Sequence, residues 1–413
     1  MAYLQRLVDP LLADLLAEVP ALLVLGPRAV GKTTTLRRRA QTLVRLDSEA
    51  EAAAFRADPD AALRGLEEPV LLDEWQAVPG VLGAVRRAVD EAPRPGRFLL
   101  TGSVRAKIET DVWAGTGRAV RLSLFPMTVR EKLGGVAGAS FFDKLAAGAD
   151  LAAAPETPDL RGYVDLSLES GFPLPALQIS GRRRQLALES YLDQLLTHDI
   201  EHVEVSSTNR RDVQRIRRYF EAYALNSGGV LDHKTIYDAA GVNRITAKAY
   251  EDLLSSLFVI EQIPAWSSNR LKRLVNQPKR YVIDPSLIAA ALRLDARGIL
   301  SDGDLLGRAL DTFVAAQLRP ELLVSATRPR LLHLRTEQGR HEVDLLAELG
   351  GGRVIAIEVK ATAAPDERDA RHLTWLRDSL GSRFAGGVVF HTGPRAYELA
   401  DGVTAAPIST LWA

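Results

Sequence analysis

The stretch that decides the fold of this chain is a glycine-rich loop, Gly26-Pro27-Arg28-Ala29-Val30-Gly31-Lys32-Thr33-Thr34, which directly follows the apolar residues 21–25. It satisfies the phosphate-binding pattern G-x-x-x-x-G-K-[ST]. Glycines let backbone N–H groups curl around phosphate oxygens, and a following helix presents its positive end to the same anion. All nine residues are therefore predicted to contact a nucleotide, ATP or GTP, with Lys32 at the β- and γ-phosphates and Thr33 on Mg²⁺.

Two further apolar runs end in polar residues that suit the same chemistry. Residues 69–72 end at Asp73 and Glu74, as a buried parallel strand does when its tip holds magnesium and aims a carboxylate at water. Asp73 is the predicted metal ligand and Glu74 the predicted general base. Residues 98–102 end at Ser103, which is predicted to contact the γ-phosphate or to orient the attacking water. Together the runs predict an α/β fold with a parallel, three-layer P-loop sheet.

These motifs resemble those of bacterial and archaeal AAA-type ATPases of the P-loop superfamily that carry the C-terminal domain of unknown function 4143. The resemblance runs almost from end to end, through the segments Gly26-Pro27-Arg28, Asp73-Glu74-Trp75-Gln76, Thr101-Gly102-Ser103, Gly117-Arg118, Leu124-Phe125-Pro126-Met127-Thr128, Gly171-Phe172-Pro173 and 191–200. The departures are Ala29 for a usual Gln, Met127-Thr128 for a Leu-Ser pair and His198 for a usual Arg. The resemblance implies an ATPase core whose cellular role is undefined.

Composition bounds the function without identifying it. The chain has 413 residues, which suggests two to four domains. The 52 Lys and Arg balance the 52 Asp and Glu, so any nucleic-acid surface must be local rather than global. There is no cysteine, which excludes disulfides and agrees with a cytoplasmic protein. Charges interrupt every apolar run near the N-terminus, so we expect neither a signal peptide nor a membrane partner.

The pattern predicts four successive parts. Residues 1–135 form the AAA-type P-loop ATPase domain, and residues 136–205 form a linker and helical connector that includes a loop rich in Ala, Gly and Pro at 146–158. Residues 206–294 form a winged-helix domain. Residues 295–413 form an α/β domain that resembles the restriction-endonuclease-like core.

The winged-helix prediction rests on two short helices, 234–240 and 245–257, followed by strands at 258–260 and 280–283. Positively charged side chains in this region are predicted to meet nucleic-acid phosphates, namely Arg244 and Lys248 on the second helix and Arg270, Lys272 and Arg273 in the wing. DNA is the favoured partner. Winged helices also serve only as packing or dimerisation modules, so both interpretations stay open.

The last part carries a second acidic pattern. A helix at 304–318, strands at 330–334, 342–346 and 353–359, a helix at 367–380 and a strand at 387–391 are predicted in that order. Asp344, Glu358 and Lys360 reproduce the D…(D/E)-x-K spacing of the nuclease superfamily, and Asp311 is the predicted auxiliary acid. In this hypothesis Asp344 and Glu358 hold Mg²⁺, which activates water, while Lys360 orients or deprotonates that water.

The sequence leaves several alternatives open. The C-terminal domain is either a Mg²⁺-dependent nuclease controlled by nucleotide state or a catalytically retired nuclease fold, in which case the chain is a nucleotide-controlled binding switch for a protein or DNA. Arg118 is an arginine finger, in cis or from a neighbouring subunit, or a surface residue. The histidines at 333, 341 and 372 show no zinc-ligand spacing. The pattern does not decide between DNA and RNA, between ATP and GTP, or between monomer and homo-oligomer.

Overall fold

The structure is a computed structural model that describes residues 3–103, 117–199, 210–230, 232–267, 277–336 and 340–413. The chain divides into two compact units. The N-terminal unit comprises Val8–Pro126 together with Glu251–Val259, and the C-terminal unit comprises Met1–Leu7, Met127–Tyr250 and Ile260–Ala413. No helix in these described ranges is both long enough and apolar enough to cross a membrane.

The N-terminal unit contains a five-stranded sheet. Its strands are β1 Ala21–Leu25, β2 Thr42–Arg45, β3 Val70–Asp73, β4 Phe98–Gly102 and β5 Ala119–Ser123, and they lie in the order β2-β3-β4-β1-β5. All neighbouring strands are parallel, so the predicted parallel sheet is confirmed. Its α-helices within the described residues span Asp9–Glu18, Lys32–Arg37, Glu49–Ala57, Pro59–Leu63 and Val81–Glu91.

Both faces of this sheet are buried, which explains why its strands are continuous apolar runs. Leu23 of β1 lies in one apolar cluster, which includes Val85 of the helix Val81–Glu91. Its neighbour Leu22 lies in a second cluster, which includes Leu12 of the helix Asp9–Glu18. Successive strand residues point to opposite faces, so the helices cover the two sides of the sheet and form the three predicted layers.

The C-terminal unit contains a six-stranded mixed sheet. Its strands are β8 Arg330–Arg335, β9 Glu342–Glu348, β10 Val354–Val359, β11 Phe384–His391, β12 Tyr397–Ala400 and β13 Val403–Pro407, and they lie in the order β12-β13-β11-β10-β9-β8. The pairs β8/β9, β9/β10 and β12/β13 are antiparallel, whereas β10/β11 and β11/β13 are parallel. The helices Gly303–Val324 and Arg371–Leu380 complete the predicted order of elements, to which the structure adds β12 and β13.

The residues between these sheets are mostly helical. The helices are Val129–Lys132, Phe141–Ala146, Leu160–Leu168, Pro173–Leu177, Gly181–Gln194, Arg210–Leu225, His233–Ala240, Arg244–Ser256, Ser286–Leu292 and Ala296–Leu300. The helix predicted to reach Asp199 changes to a π-helical turn over Leu195–Asp199. After the helix Arg244–Ser256 comes an antiparallel hairpin of β6 Ile260–Ile263 and β7 Lys279–Val282, which is the order of elements expected for a winged helix.

Candidate nucleotide site and a buried charge cluster

The glycine-rich loop joins the end of β1 to the helix Lys32–Arg37. Gly31 has a φ of 99°, and Ala29 has a φ of 59°, so both residues adopt the left-handed conformation that side chains disfavour. Gly26 is required for a different reason, because a Cβ at this position would lie 2.2 Å from the main-chain oxygen of Leu124. Gly26 is therefore needed because the backbone of Leu124 approaches it closely, and Gly31 is needed because its φ is positive.

Lys32 is buried under this loop, with 4% of its surface exposed. Its Nζ donates hydrogen bonds to the main-chain oxygens of Gly26, at 3.1 Å, and Pro27, at 3.0 Å. Burial lowers the pKa of Lys32, against the charges of Glu74 and Asp73 that raise it. An ammonium has three N–H donors, and these two carbonyls accept two of them. A phosphate beside the loop would accept the third and would offset the cost of burying the charge, so the loop fits a nucleotide phosphate.

Asp73 stands at the end of β3, where two hydroxyl groups converge on one of its oxygens. Thr33 Oγ1 donates to Asp73 Oδ1 at 2.7 Å, and Thr101 Oγ1 donates to the same atom at 2.5 Å. Burial raises the pKa of Asp73, and both hydroxyl bonds oppose that shift. Carboxylate and hydroxyl oxygens are ligands that Mg²⁺ prefers, so this group fits the predicted metal. Thr101 was part of a recognised strand end but was not predicted as a site residue.

Glu74 follows Asp73 in a left-handed conformation, with a φ of 54°. Ser103 Oγ donates to Glu74 Oε2 at 2.9 Å, and Gln76 Nε2 donates to the same oxygen. The main-chain N–H of Glu74 donates to Thr101 Oγ1 at 3.0 Å. The structure thus brings the predicted base, Glu74, together with the predicted sensor, Ser103, and adds Gln76 as a residue that orients both.

Arg118 lies at the end of the parallel sheet opposite to the glycine-rich loop. It precedes β5, whose first residue, Ala119, pairs with Ala21 at the start of β1, whereas the glycine-rich loop follows the end of β1. Five strand residues separate the two ends by roughly 16 Å. Arg118 forms an exposed ion pair with Asp90. It therefore does not face its own nucleotide loop, and of the two predicted arginine-finger arrangements only the contact with a neighbouring subunit is compatible with this position.

The residues predicted to bind nucleic acid divide into two groups. Arg244 and Lys248 are exposed and lie one turn apart on the helix Arg244–Ser256. Ile245 beside them has 84% of its surface exposed. The wing residues Arg270, Lys272 and Arg273 lie outside the described residues.

In the C-terminal unit the structure brings together all four residues of the predicted nuclease pattern. Asp311 lies on the helix Gly303–Val324. The last residues that pair between β9 and β10 are Leu345 and Ile357, and Asp344 of β9 and Glu358 of β10 each lie one residue beyond them. Lys360 follows β10, and its Nζ donates to Glu358 Oε1 at 2.8 Å.

A fifth residue, Lys279 of β7, enters this cluster and was not among the predicted site residues. Its Nζ lies 2.6 Å from Asp311 Oδ2 and 3.0 Å from Asp344 Oδ1. The remaining oxygens of the two aspartates are also bonded: Tyr281 OH donates to Asp311 Oδ1 at 3.0 Å, and Val359 N donates to Asp344 Oδ2 at 3.0 Å. The only signal in the sequence is the pair Lys279-Arg280 at the start of β7, a pattern too common to indicate a site.

Burial sets the charges of this cluster. It raises the pKa of Glu358 to about 8, with the negative charge of Asp344 adding to the shift. It also raises the pKa of Asp311 to about 6, although the positive charge of Lys279 acts against it. For Lys279 burial acts to lower the pKa, but the charges of Asp311 and Asp344 prevail and raise it well above its ordinary value. Burial and Asp344 thus favour the protonated form of Glu358, and Lys279 is the cation that faces the two aspartates.

The predicted magnesium site at Asp344 and Glu358 does not fit this arrangement. Both oxygens of Asp344 already accept hydrogen bonds, one of them from the ammonium of Lys279 at 3.0 Å, whereas Mg²⁺ requires free carboxylate oxygens at about 2.0–2.1 Å. No group of three or more His, Cys, Asp or Glu side chains in the described part of the chain is arranged to hold a metal ion. The four predicted residues do come together, but around an ammonium group.

Comparison with protein families supports the family resemblance at both ends of the chain. Residues 18–133 match the family model of an AAA domain, and residues 306–411 match that of a domain of unknown function (DUF4143), so the presence of these two family domains, which the resemblance implies, is confirmed. Residues 160–298 match a further domain of unknown function (DUF8612), which was not predicted.

Relatives that align with nearly the whole of this chain occur in mycobacteria. The uncharacterized proteins Mb2031c of Mycobacterium bovis and Rv2008c of Mycobacterium tuberculosis are each 30% identical to this chain over 399 residues, which is 95% of this chain and 81% of the relative. Among solved structures, the Walker-type ATPase PABY2304 of Pyrococcus abyssi aligns with a TM-score of 0.43 and 16% identity, over 69% of this chain and 94% of that one.

Proposed function

This chain belongs to the same family as the mycobacterial proteins Mb2031c and Rv2008c and carries an AAA domain, and on that premise we propose that it binds and hydrolyses ATP with Mg²⁺. The observation that carries the proposal is the 2.7 Å hydrogen bond between Thr33 and Asp73, because it joins the two motifs that must act on one nucleotide. The burial of Lys32 beneath the loop supports the same conclusion.

Each residue of this site has a distinct role in the proposed reaction. Backbone N–H groups of the glycine-rich loop bind the phosphates, with the exception of Pro27, which has none, and Lys32 donates its remaining N–H to them. Thr33 and Asp73 would hold Mg²⁺, and the bound ion would neutralise negative charge on the nucleotide phosphates. Glu74 accepts a proton from the attacking water, and Ser103 and Gln76 fix the direction of its carboxylate.

Phosphate release from ATP by the full chain tests this proposal. We expect hydrolysis that requires Mg²⁺ and that Lys32→Ala lowers by about 100-fold or more, since a buried donor to transferring phosphates contributes at least that much. Lys132→Ala is the matched control, because Lys132 pairs with Glu169 in the C-terminal unit and has no role in the proposed site. Full hydrolysis by Lys32→Ala would refute the assignment.

The second part of the proposal is a nucleic-acid partner, with DNA favoured. It is supported by the exposed pair Arg244 and Lys248, which lie one helical turn apart on the second helix of the helix-helix-hairpin order. The exposed Ile245 suits contact with a thymine methyl group or a sugar. Arg270, Lys272 and Arg273 remain predicted phosphate contacts of the wing.

Binding to labelled double-stranded DNA, single-stranded DNA and RNA at several salt concentrations tests that partner. Affinity falls as salt rises, and removing one side chain that binds a phosphate makes this negative slope of log affinity against log salt shallower by about 1. We therefore expect the double variant Arg244→Ala/Lys248→Ala to bind DNA more weakly and with a slope whose magnitude is smaller by about 2. Equal binding by the variant and the unaltered chain would favour a protein partner for this helix instead.

For the C-terminal domain, the geometry favours the second of the two hypotheses: the retired nuclease fold of a nucleotide-controlled binding switch. The support is Lys279, which neutralises the aspartates where a nuclease needs a metal. Incubation of DNA and RNA with the chain, Mg²⁺ or Mn²⁺, and ATP tests this, with Lys360→Ala as control. We expect no cleavage that depends on Lys360. Cleavage that disappears in Lys360→Ala would restore the nuclease hypothesis.

A further inference from the structure

Lys279 lies at the centre of the acidic residues that the sequence pattern assigns to a metal. An ammonium group has three N–H donors, and three oxygen atoms accept them: Asp311 Oδ2 at 2.6 Å, Asp344 Oδ1 at 3.0 Å and the main-chain oxygen of Asp344 at 3.2 Å. Only 1% of the surface of Lys279 is exposed. Oxygen atoms of two acidic residues thus accept all three N–H donors of this ammonium.

Neighbouring residues hold both the lysine and its acceptors in place. Tyr281, two residues along the same strand, donates to the other oxygen of Asp311. Gly228 packs so closely on this aspartate that a Cβ would lie 2.8 Å from Asp311 Oδ2, and its N–H donates to the main-chain oxygen of Arg280 at 2.7 Å. The ion pair is therefore fixed by a hairpin, a tight turn and a long helix at once.

A divalent ion and this ammonium cannot share the space between the aspartates. Mg²⁺ needs carboxylate oxygens at about 2.0–2.1 Å together with several waters, while the ammonium already stands within hydrogen-bonding distance of both carboxylates. The ammonium of Lys279 already supplies the positive charge that a metal would bring. Glu358 retains a buried oxygen, Oε2, that has no hydrogen-bond partner among the described residues, so this oxygen is open to a metal ion once the ammonium is removed.

We infer that Lys279 is the resident cation of the C-terminal centre, taking the place of a divalent metal between Asp311 and Asp344. In the unaltered chain the centre binds no Mg²⁺, and the acidic pattern stabilises the junction of the β6–β7 hairpin with the C-terminal sheet. Replacing Lys279 with a neutral side chain leaves Asp311 and Asp344 without the cation between them and turns the cluster, together with Glu358, into a divalent-metal site. This inference deepens the proposal of a binding rather than a cleaving domain, and it is independent of ATP hydrolysis.

Mn²⁺ binding by the nucleotide-free full chain tests the inference, with the free ion measured by electron paramagnetic resonance at about pH 8, because metal competes with protons for carboxylates. We expect Lys279→Met to bind a Mn²⁺ ion that the unaltered chain does not bind. The double variant Lys279→Met/Asp344→Asn should not bind this ion. Any Mn²⁺ held near Thr33 and Asp73 is common to all these chains and cancels in the comparison.

Lys360→Met is the matched control, because it removes a lysine from the same cluster but leaves Lys279 in place. We expect it to gain no Mn²⁺. A folded Lys279→Met chain, judged by circular dichroism, that bound no more Mn²⁺ than the unaltered chain would overturn the inference.

If Lys279→Met does not fold, Glu358→Gln decides the question, because glutamine has the size of the protonated glutamate. The inference requires the unaltered chain and Glu358→Gln to bind equal amounts of Mn²⁺. A Mn²⁺ ion present in the unaltered chain and absent from Glu358→Gln would show a native metal site and overturn the inference. ATP hydrolysis measured on the same samples reports separately on the nucleotide proposal.

Discussion

Thr33 and Asp73 lie 40 residues apart in sequence, yet the threonine hydroxyl donates a 2.7 Å hydrogen bond to the aspartate carboxylate. The bond forms because β1 and β3 are both neighbours of β4 in the parallel sheet, so that their carboxyl ends meet at one edge. The oxygens that Mg²⁺ would use are thus already side by side in the protein alone, and little reorganisation is needed when a nucleotide binds.

This relationship predicts that the hydroxyl group matters more than the size of the side chain at position 33. We expect Thr33→Ala to lower Mg²⁺-dependent ATP hydrolysis by about 100-fold. Thr33→Ser keeps the hydroxyl and should retain most of the activity. Titration of Mg²⁺ at saturating ATP measures both variants, and equal activity of the alanine and serine chains would contradict the assignment.

Glu74 is predicted to act in the chemical step and not in binding. Glu74→Gln keeps the shape of the side chain and its contact with Ser103 but cannot accept a proton. Hydrolysis should fall by about 100- to 10,000-fold, while affinity for ATP stays within a few-fold. A single-turnover assay beside a nucleotide-binding titration separates the two quantities, and a parallel fall in affinity would indicate a structural role instead.

Gly26 is predicted to be essential for stability as well as for the loop. Gly26→Ala places a Cβ against the main-chain oxygen of Leu124, so the N-terminal unit should lose about 1–3 kcal/mol of unfolding free energy. Gly83 lies inside the helix Val81–Glu91 of the same unit, where a Cβ would meet only the end of the exposed side chain of Arg87, at 3.3 Å. Gly83→Ala should therefore stabilise by about 0.5–1 kcal/mol. Urea unfolding compares the two variants, which should shift the midpoint in opposite directions.

The position of Arg118 predicts a result that depends on assembly. Since it lies at the end of β5 remote from the loop, Arg118→Ala should leave hydrolysis by a monomeric chain unchanged within about twofold, and its exposed pair with Asp90 should contribute little to stability. Hydrolysis measured across protein concentrations, beside sedimentation of the same samples, checks this. A large loss of activity in monomers would show that the arginine reaches its own nucleotide.

The buried Glu358 predicts that stability changes with pH. Its pKa is about 8 in the folded chain against an ordinary value of 4.5, so the folded state holds a proton that the unfolded state has released between these values. The contribution of Glu358 is therefore complete below about pH 4.5 and is lost as the pH rises through about 8. Glu358→Gln should make the midpoint of urea unfolding less dependent on pH in that window. Identical pH profiles for the two chains would show that Glu358 is ionised in the folded state.

Much of the fold followed from local pattern. The continuous apolar runs at β1, β3 and β4 indicated strands covered on both faces, because a strand exposed on one face would alternate with polar residues. The conformation of the glycine-rich loop was predictable, because G-x-x-x-x-G-K-T places glycines at the positions of a close backbone approach and of a positive φ. In contrast, β12 and β13 are short and follow no clear alternation, and they were not predicted.

The sequence by itself determined the nucleotide loop, the parallel sheet behind it and the set of acids gathered in the C-terminal unit, because each depends on residues close together in the chain or on strand periodicity. Only the tertiary structure decided which groups neutralise those acids and at which end of the parallel strands Arg118 lies. The physical reason is that a buried charge is balanced by whatever lies within a few ångströms in space. Lys279 reaches Asp344 from 65 residues away, and no local pattern specifies a contact of that kind.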